Sequence, residues 1–231
     1  MSTQLSDRAA PLPYQLPLRT RLARLWMRPF FRGLFHLLSR VEITGRENVP
    51  PEGAYVIASN HVSLFEPPLL LAFWPVAAEA IGAVEVWERR GQGGIIGIYG
   101  AIPVHRGDYD RRLLNTMLAV LQAGRPLLIA PEGGRSHTPG LRPGLPGIAY
   151  IVQKSGVPVV PVGIVGTSDD FLKQALRGKR QLLEMRIGKP FKLPEKGNGA
   201  VDRRTIRQKN LDLIMRRIAD LLPPEYRGVY G

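Results

Sequence analysis

The sequence contains no cysteine among its 231 residues. Disulfide bonds, thiolate metal sites and a cysteine nucleophile are therefore excluded, and the absence fits a cytoplasmic protein. The four histidines include no close pair, so no zinc-binding pattern is recognisable. The sequence also lacks the G-x-S-x-G turn of α/β-hydrolases and the G-x-x-x-x-G-K-[ST] loop of nucleotide-binding proteins.

Long hydrophobic runs are missing as well. No stretch approaches the roughly 18 to 20 uncharged apolar residues that a membrane span requires. The longest candidate, PPLLLAFWPVAA at residues 67–78, is too short and is interrupted by Pro75. The first twenty residues have no charged start followed by an apolar block. We therefore expect neither a signal peptide nor a transmembrane helix.

Acidic residues are few relative to basic ones. The chain has 32 Lys and Arg against 19 Asp and Glu, a formal net charge of +13. This balance predicts a polyanionic partner, which could be nucleic acid, an anionic membrane surface or a phosphorylated substrate. The hydrophobic fraction of 44% is that of an ordinary globular protein.

The N-terminal region divides into a tail and a helical segment. Residues 1–16 are polar and contain several prolines, which predicts a flexible tail. Residues 17–40 predict a pair of amphipathic helices, because Pro17 and Pro29 each suit the first turn of a helix.

The helical pair carries a row of basic side chains beside an apolar aromatic face, which is typical of a segment that lies on a membrane surface. The residues predicted to dock on the membrane are Arg24, Trp26, Arg28, Phe30, Phe31, Arg32 and Phe35. A nucleic-acid-binding protein would interleave its aromatic and basic residues over one broad face. The clustered aromatics favour the membrane.

Residues 41–231 show short apolar runs that alternate with helical patterns. Strands are predicted at residues 55–59, 101–104, 127–130, 159–165 and 182–187. Helices are predicted between the second and third strands, between the third and fourth, and from Asp202 to the prolines at 223 and 224. This order predicts one α/β domain with a largely parallel central sheet flanked by helices.

Polar clusters follow three of the predicted strands. His61 and Glu66 come after the first, His105 and Arg106 after the second, and PEGGRS at residues 131–136 after the third. In open parallel sheets, ligands bind beyond the carboxyl ends of the strands. We therefore expect one shared crevice.

His61 and Glu66 could form a catalytic pair. Pro67 disfavours helical geometry at Glu66, so a bend before the helix can bring the carboxylate onto one imidazole nitrogen. Glu66 would then fix the tautomer while the other nitrogen removes a proton from a hydroxyl. The alternative is a strand-end histidine bound to backbone, with Glu66 favoured by the helix dipole.

The PEGGRS segment could bind an anion. Gly133 and Gly134 would let backbone N–H groups approach a phosphate, and Arg135 supplies a planar fork for its oxygens. Glu132 could orient that guanidinium or accept from a substrate hydroxyl. Arg106 would add a second guanidinium. The alternative is a glycine turn with solvated arginines.

Four segments, NHVSLFE, GAIPVHRGD, PEGGRS and GVPVVPVGIVG, resemble in order and spacing the four motif blocks of the glycerolipid acyltransferases. The bacterial 1-acyl-sn-glycerol-3-phosphate acyltransferases are the most similar group, and the resemblance covers about residues 41–231. It implies that His61 is the general base for the acceptor hydroxyl, which attacks the thioester of acyl-CoA or acyl carrier protein.

The resemblance also implies roles for the other blocks. Arg106, Glu132, Gly133 and Arg135 match the residues that bind the acceptor's phosphate. The positions that match the acyl-chain or structural strand are Val157, Pro158 and Pro161. No metal or other cofactor is implied.

Glu66 departs from the resemblance, because the family pattern usually has aspartate there. One extra methylene moves the carboxylate by about 1.5 Å, and misplacement on the order of 1 Å can cost about a hundredfold in rate.

The expected activity is acyl transfer to the free hydroxyl of 1-acyl-sn-glycerol 3-phosphate, giving phosphatidic acid in phospholipid biosynthesis at the cytoplasmic face of the cell membrane. The expected partners are the lysophospholipid, the acyl thioester or its carrier protein, and an anionic membrane surface, but not nucleic acid. The alternatives are glycerol 3-phosphate or another lyso-lipid as acceptor, or a catalytically weak lipid-binding relative.

Overall fold

The computed structural model describes residues 14–105, 110–194 and 202–231. Within these ranges the strands are β1 Ser39–Thr44, β2 Val56–Ser59, β3 Glu79–Ala83, β4 Ile102–Val104, β5 Leu127–Ile129, β6 Val159–Val165 and β7 Gln181–Ile187. The α-helices are α1 Leu18–Leu38, α2 Glu66–Phe73, α3 Gln92–Tyr99, α4 Arg111–Gln122, α5 Gly147–Ser155, α6 Phe171–Leu176 and α7 Arg203–Ala219.

The strands form one sheet in the order β1-β7-β6-β2-β5-β3-β4. All neighbours pair in parallel except β6 and β7, which are antiparallel. The predicted α/β class with a largely parallel sheet is therefore confirmed. All five predicted strands are present, and β1 and β3 were not predicted.

Hydrophobic clusters cover both faces of the sheet. On one face, Ile57 packs with side chains from α1, α2 and α6. On the other, its neighbours Val56 and Ala58 pack with α4, α5 and α7. Alternate residues of β2 thus point to opposite faces, as in any strand, and both faces are covered by buried hydrophobic side chains. A buried central strand flanked by helices on each side leaves its carboxyl end as the open position for a site.

The N-terminal region contains one helix where the sequence predicted two. Helix α1 continues through Pro29 for 21 residues. Pro29 and Leu25 are both exposed, so the carbonyl that loses its hydrogen-bond partner lies on the solvent side. Met27 and Phe35, before and after the proline, are buried against the domain. In the described part of the chain, no helix has the length and apolarity that a bilayer span requires.

The predicted membrane-facing basic row points into the protein instead. Arg28 donates to the carbonyls of Leu71 and Trp74, and Arg32 donates to the carbonyl of Ala72. These carbonyls belong to the last turn of α2, where cations are favoured by the helix dipole. The basic row therefore fastens α1 to α2.

The predicted aromatic face is also divided. Phe35 is buried and Phe31 packs partly against the core, so neither is available to a membrane. Trp26 and Phe30 remain exposed. The exposed apolar residues of α1 are Leu18, Leu22, Leu25, Trp26, Phe30 and Leu37, and at 100° per residue they share one face.

A buried ion network explains why Arg24 is 3% exposed. Its two amino groups bind the carboxylate of Glu79, at 2.9 and 2.7 Å, and its guanidinium stacks over Tyr99 with 4.3 Å to the ring centroid. Arg125 and Tyr14 also donate to Glu79, at 2.7 and 2.8 Å. Tyr14 was predicted to belong to the flexible tail, and residues 1–13 of that tail lie outside the described residues.

Hydrogen bonds and charges decide the ionisation of Glu79. Burial alone would raise the pKa of this carboxyl, but its bonds to Arg24 and Tyr14 and the nearby charge of Arg125 hold the pKa below its ordinary value. Glu79 begins β3, so the network ties the first half of α1 to the sheet.

We expect Glu79→Gln to lower the free energy of unfolding at neutral pH by about 3 to 5 kcal/mol, because it leaves Arg24 buried without a countercharge. The depressed pKa gives a sign to the pH dependence. The stability that Glu79 contributes is present above its unfolded-state pKa of about 4.3 and is lost as the pH falls through the lower folded-state pKa. The free energies of unfolding of variant and wild type, measured with urea, should therefore become more similar as the pH falls below about 4.

Glu184→Gln is the matched control, because Glu184 pairs with Arg186 in a partly exposed position. That change should cost no more than about 1 kcal/mol. An equal cost at the two positions would contradict the role of the buried network.

Candidate active site

The site is built where β2 ends. His61 follows the strand by two residues, and its Nδ1 lies 2.9 Å from Oε2 of Glu66, in the first turn of α2. The predicted contact between the two side chains is thus present. Because a carboxylate oxygen can only accept a hydrogen bond, Nδ1 carries the proton in the neutral ring and Nε2 keeps its lone pair. The imidazole is 16% exposed and the carboxylate 1%.

Ser63 and Thr167 hold the carboxylate of Glu66 in place. The Ser63 N–H lies 2.9 Å from both carboxylate oxygens, and the Ser63 hydroxyl donates to Oε1 at 2.9 Å. The Thr167 hydroxyl also donates to Oε1. These donors satisfy the buried carboxylate of Glu66.

The backbone of His61 is held from the neighbouring strand. Its N–H donates to Oε1 of Glu132 at 2.8 Å, and its carbonyl accepts from the Ser136 N–H at 2.8 Å. The N–H of His137 donates in turn to the carbonyl of Val62 at 3.0 Å. The PEGGRS loop after β5 therefore runs beside the residues that follow β2, and His61 is fixed through its ring and both sides of its backbone.

Two predicted phosphate ligands have different roles in the structure. Glu132 is 3% exposed, and its second oxygen accepts from the N–H of Arg142 at 2.9 Å. Burial raises the pKa of this carboxyl despite those bonds. The N–H of Gly133 donates to the carbonyl of Ala130, at 3.1 Å, and closes a turn with φ of +66°. Both carboxylate oxygens of Glu132 and the N–H of Gly133 thus already have partners within the protein.

Arg135 lines the cleft region as predicted for an anion ligand, but part of its guanidinium is bound to a carboxylate. It lies in the loop beside His61, but its Nη1 donates to Oδ1 of Asp169 at 2.9 Å. Oδ2 of Asp169 lies 2.8 Å from Nδ1 of His137. Asp169 follows β6, which lies beside β2 in the sheet, so the end of β6 joins those of β2 and β5 at the site.

The other predicted residues are placed differently or not described. Arg106 lies outside the described residues. Its neighbour His105 is exposed at the end of β4. Strand β3 lies between β4 and β5, so the ends of β4 and β5 are not next to each other. Gly134 is partly exposed in the PEGGRS loop.

The acyl-chain block belongs to the sheet. Pro161 is buried in β6 opposite Ala58, while Val157 and Pro158 lead into that strand and are partly buried. Asn60 exchanges two hydrogen bonds of 2.8 Å with the backbone of Ile164 and locks β2 to β6. These residues shape the scaffold beneath the site.

A cleft of about 630 Å³ is lined in part by Leu64 and Phe65, which follow His61 by three and four residues. Its apolar wall consists of Leu64, Phe65, Leu172 and Leu176, and its polar lining consists of Arg89, Gln92, Arg135, Asp169, Lys173 and Arg177. A cleft with one apolar side and mostly basic polar groups suits a ligand with an apolar body and an anionic head.

The geometry can be compared with known proteins. A family model described as Acyltransferase matches residues 40–165. The chain is 30% identical over 198 residues to the lyso-ornithine lipid O-acyltransferase of Pseudomonas aeruginosa, covering 78% of this chain and 73% of that protein. It is 25% identical over 154 residues to human 1-acyl-sn-glycerol-3-phosphate acyltransferase alpha, covering 65% of this chain and 54% of that protein.

A bacterial relative and a solved structure extend the comparison. The chain is 22% identical over 139 residues to the 1-acyl-sn-glycerol-3-phosphate acyltransferase of Borreliella burgdorferi, 59% of this chain and 56% of that protein. The crystal structure of the 1-acyl-sn-glycerophosphate acyltransferase PlsC from Thermotoga maritima superposes with a TM-score of 0.62 at 24% identity, over 87% of this chain and 80% of that chain. The fold is the same, and the resemblance drawn from four sequence motifs is confirmed.

Proposed function

Because the chain belongs to the acyltransferase family, we propose that it transfers a fatty acyl group to the free hydroxyl of 1-acyl-sn-glycerol 3-phosphate and forms phosphatidic acid in phospholipid biosynthesis. The donor is the thioester of acyl-CoA or acyl carrier protein. The observation that carries the proposal is the contact between Nδ1 of His61 and the buried Glu66, which leaves the other ring nitrogen, Nε2, to act as the base.

The reaction follows from that geometry. Nε2 of His61 takes the proton of the acceptor hydroxyl as the oxygen attacks the thioester carbon. The buried Glu66 carboxylate stabilises the imidazolium that forms. When the C–S bond breaks, the imidazolium returns its proton to the departing thiolate. The products are the new ester and the free thiol, and no step requires a metal or other cofactor.

Arginines bind the head group in this proposal. Arg135 precedes Ser136, whose N–H binds the backbone carbonyl of His61, and its guanidinium keeps N–H groups beyond the one bound to Asp169. Arg106 is proposed as the second phosphate ligand from its sequence motif alone. The apolar wall of the cleft would accompany the acyl chain of either substrate.

A second acceptor is favoured by one feature of the site. Asp169 places a negative charge on the guanidinium that would bind the phosphate. A lyso-ornithine lipid, the acceptor named for the relative from Pseudomonas aeruginosa, carries an amine that a carboxylate can bind. We therefore keep that lipid as the alternative acceptor.

The test is acyl transfer from labelled acyl-CoA to lysophosphatidic acid. His61→Ala should lower kcat by about a hundredfold to ten-thousandfold, the usual contribution of a general base. Glu66→Asp should lower it by about tenfold to a hundredfold, since the shorter side chain cannot reach His61 and Thr167 together. His36→Ala, which removes an exposed histidine of α1, should leave kcat unchanged.

Full activity in His61→Ala would overturn the mechanism. Transfer by the wild type to a lyso-ornithine lipid, with none to lysophosphatidic acid, would replace the proposed acceptor and keep the reaction. No transfer to either acceptor would identify a lipid-binding relative that has lost catalysis.

We propose that the exposed face of α1 docks on the cytoplasmic face of the cell membrane. Leu22, Leu25, Trp26 and Phe30 are each more than half exposed on one side of a helix whose basic row is turned inward. Such a face inserts into the boundary between headgroups and acyl chains, while exposed arginines such as Arg21 add attraction to anionic lipid. Docking there would hold the active site close to its lipid substrates.

The double variant Leu22→Ser with Trp26→Ser should bind vesicles of mixed anionic and neutral lipid at least about tenfold more weakly, because two apolar side chains lose their burial in lipid. Flotation measures the bound fraction. Leu182→Ser, at a partly exposed leucine of β7, is the control and should bind as the wild type does.

Unchanged flotation of the double variant would contradict docking through α1. Tight salt-dependent binding to DNA without vesicle binding would instead favour a nucleic acid as the polyanionic partner.

A further inference from the structure

Asp169 occupies a position that none of the sequence motifs indicates. It follows β6, and its two oxygens lie 2.9 Å from Nη1 of Arg135 and 2.8 Å from Nδ1 of His137. It is half-exposed and lines the cleft. Of the described residues that line this cleft, Asp169 is the one acidic side chain among several basic ones.

The backbone around Asp169 is arranged to maintain these contacts. His137 has φ of +64°, the one positive value outside glycine in the described part of the chain. This conformation is costly for a side chain with a Cβ, and such strain concentrates at functional sites. The N–H of His137 is held by the carbonyl of Val62, and its ring is aimed at Asp169. Asp169 therefore belongs to a fixed polar cluster at the cleft.

Asp169 is ionised at neutral pH. Its slight burial works to raise the pKa, but the His137 ring and the Arg135 guanidinium hold the pKa of this carboxyl below its ordinary value. The charge of Arg135 is thus balanced by an anion before any ligand arrives. The cleft presents a positive group and a negative group less than 3 Å apart.

Head groups of different charge meet this pair differently. A phosphate monoester carries about 1.5 to 2 negative charges at pH 7 and is repelled by the carboxylate at the guanidinium it must bind. A head group that has one negative charge and, a few bonds further on, an ammonium can place its anion on Arg135 and its cation on Asp169. Both contacts are charge-assisted hydrogen bonds.

We propose that Asp169 is a specificity-determining residue that contacts the acceptor head group, binding an ammonium group and disfavouring a phosphate monoester. The acceptors that it favours are lyso-lipids with a zwitterionic head. The inference rests on the proposed function and deepens it, because it concerns which acceptor enters the same site. The claim is about the ratio between acceptors and holds whichever acceptor the wild type uses fastest.

The experiment compares three acceptors that share one acyl chain and differ in the head group. Lysophosphatidic acid carries the monoester, lysophosphatidylglycerol a single negative charge without an ammonium, and lysophosphatidylethanolamine a single negative charge with one. The kcat/KM of each is measured with one acyl-CoA, for the full chain and its variants. Thermal unfolding of each variant checks that the fold is intact.

Asp169→Asn should raise the ratio of kcat/KM for lysophosphatidic acid over lysophosphatidylethanolamine by about tenfold, because the repulsion of the monoester and the attraction of the ammonium are both lost. Lysophosphatidylglycerol should improve less than lysophosphatidic acid, and lysophosphatidylethanolamine should become worse. The change should lie mainly in the KM of the acceptor, with the KM of acyl-CoA unchanged.

Two variants separate specificity from structure. Asp169→Glu retains the charge and should keep the wild-type ratio. Asp170→Asn removes the adjacent exposed carboxylate, which makes no side-chain cap bond at the start of α6, and should also keep it. If Asp169 only orients Arg135, Asp169→Asn will weaken all three acceptors by one factor.

A ratio that stays within about twofold of the wild type in Asp169→Asn would overturn the proposal, since one charge contact is worth more than that. Equal improvement of all three acceptors would overturn the ammonium contact. The proposed function fails by a different result, seen in the wild type before any Asp169 variant is compared: transfer to lysophosphatidic acid is then no faster than with His61→Ala.

Discussion

One buried carboxylate organises the site. Glu66 is 1% exposed, so its charge must be matched by donors inside the protein. Those donors come from two places: the loop after β2 gives His61 and Ser63, and the segment after β6 gives Thr167. Helix α2 carries the carboxylate itself. Because a buried charge tolerates few arrangements, this network fixes the orientation of the imidazole before a substrate binds.

A second buried carboxylate, that of Glu132, holds the backbone of the loop that carries His61. Glu132 accepts the backbone N–H groups of His61 and Arg142 and thereby joins the loops after β2 and β5. The sequence suggested that Glu132 helps to bind phosphate, and in the structure both of its carboxylate oxygens accept from backbone N–H groups. Two acidic side chains thus support one histidine, one at its ring and one at its backbone, while the basic residues remain at the cleft.

Helix α1 shows why charge patterns do not by themselves indicate which face of a helix is exposed. Arg24, Arg28 and Arg32 do recur every four residues. They pack inward because the carboxylate of Glu79 and the last carbonyls of α2 accept their hydrogen bonds. The partner of Arg24 lies 55 residues further along the chain. Helical periodicity could identify two faces, but only tertiary packing decided that the basic one is buried.

The sequence was more informative where local rules apply. The contact of Glu66 with His61 was predicted correctly, although α2 begins at Glu66 itself and not after it. Alternating strand and helix patterns predicted five strands of the sheet. Strand β3 was missed because it begins with a buried charge at Glu79 and includes Gly82, neither of which is typical of a strand. Thr167 and Asp169 were missed because their role depends on β6 lying beside β2, an adjacency that no motif encodes.

The proposed proton transfer depends on the tautomer of the His61 ring. Nitrogen NMR of the full chain labelled with ¹⁵N-histidine distinguishes the two ring nitrogens, and the single His61→Ala variant assigns the signal among four histidines. Near neutral pH, the neutral His61 ring should carry its proton on Nδ1 and leave Nε2 unprotonated. A neutral ring protonated on Nε2 would leave no lone pair facing the acceptor, and that result would contradict the proposed proton transfer.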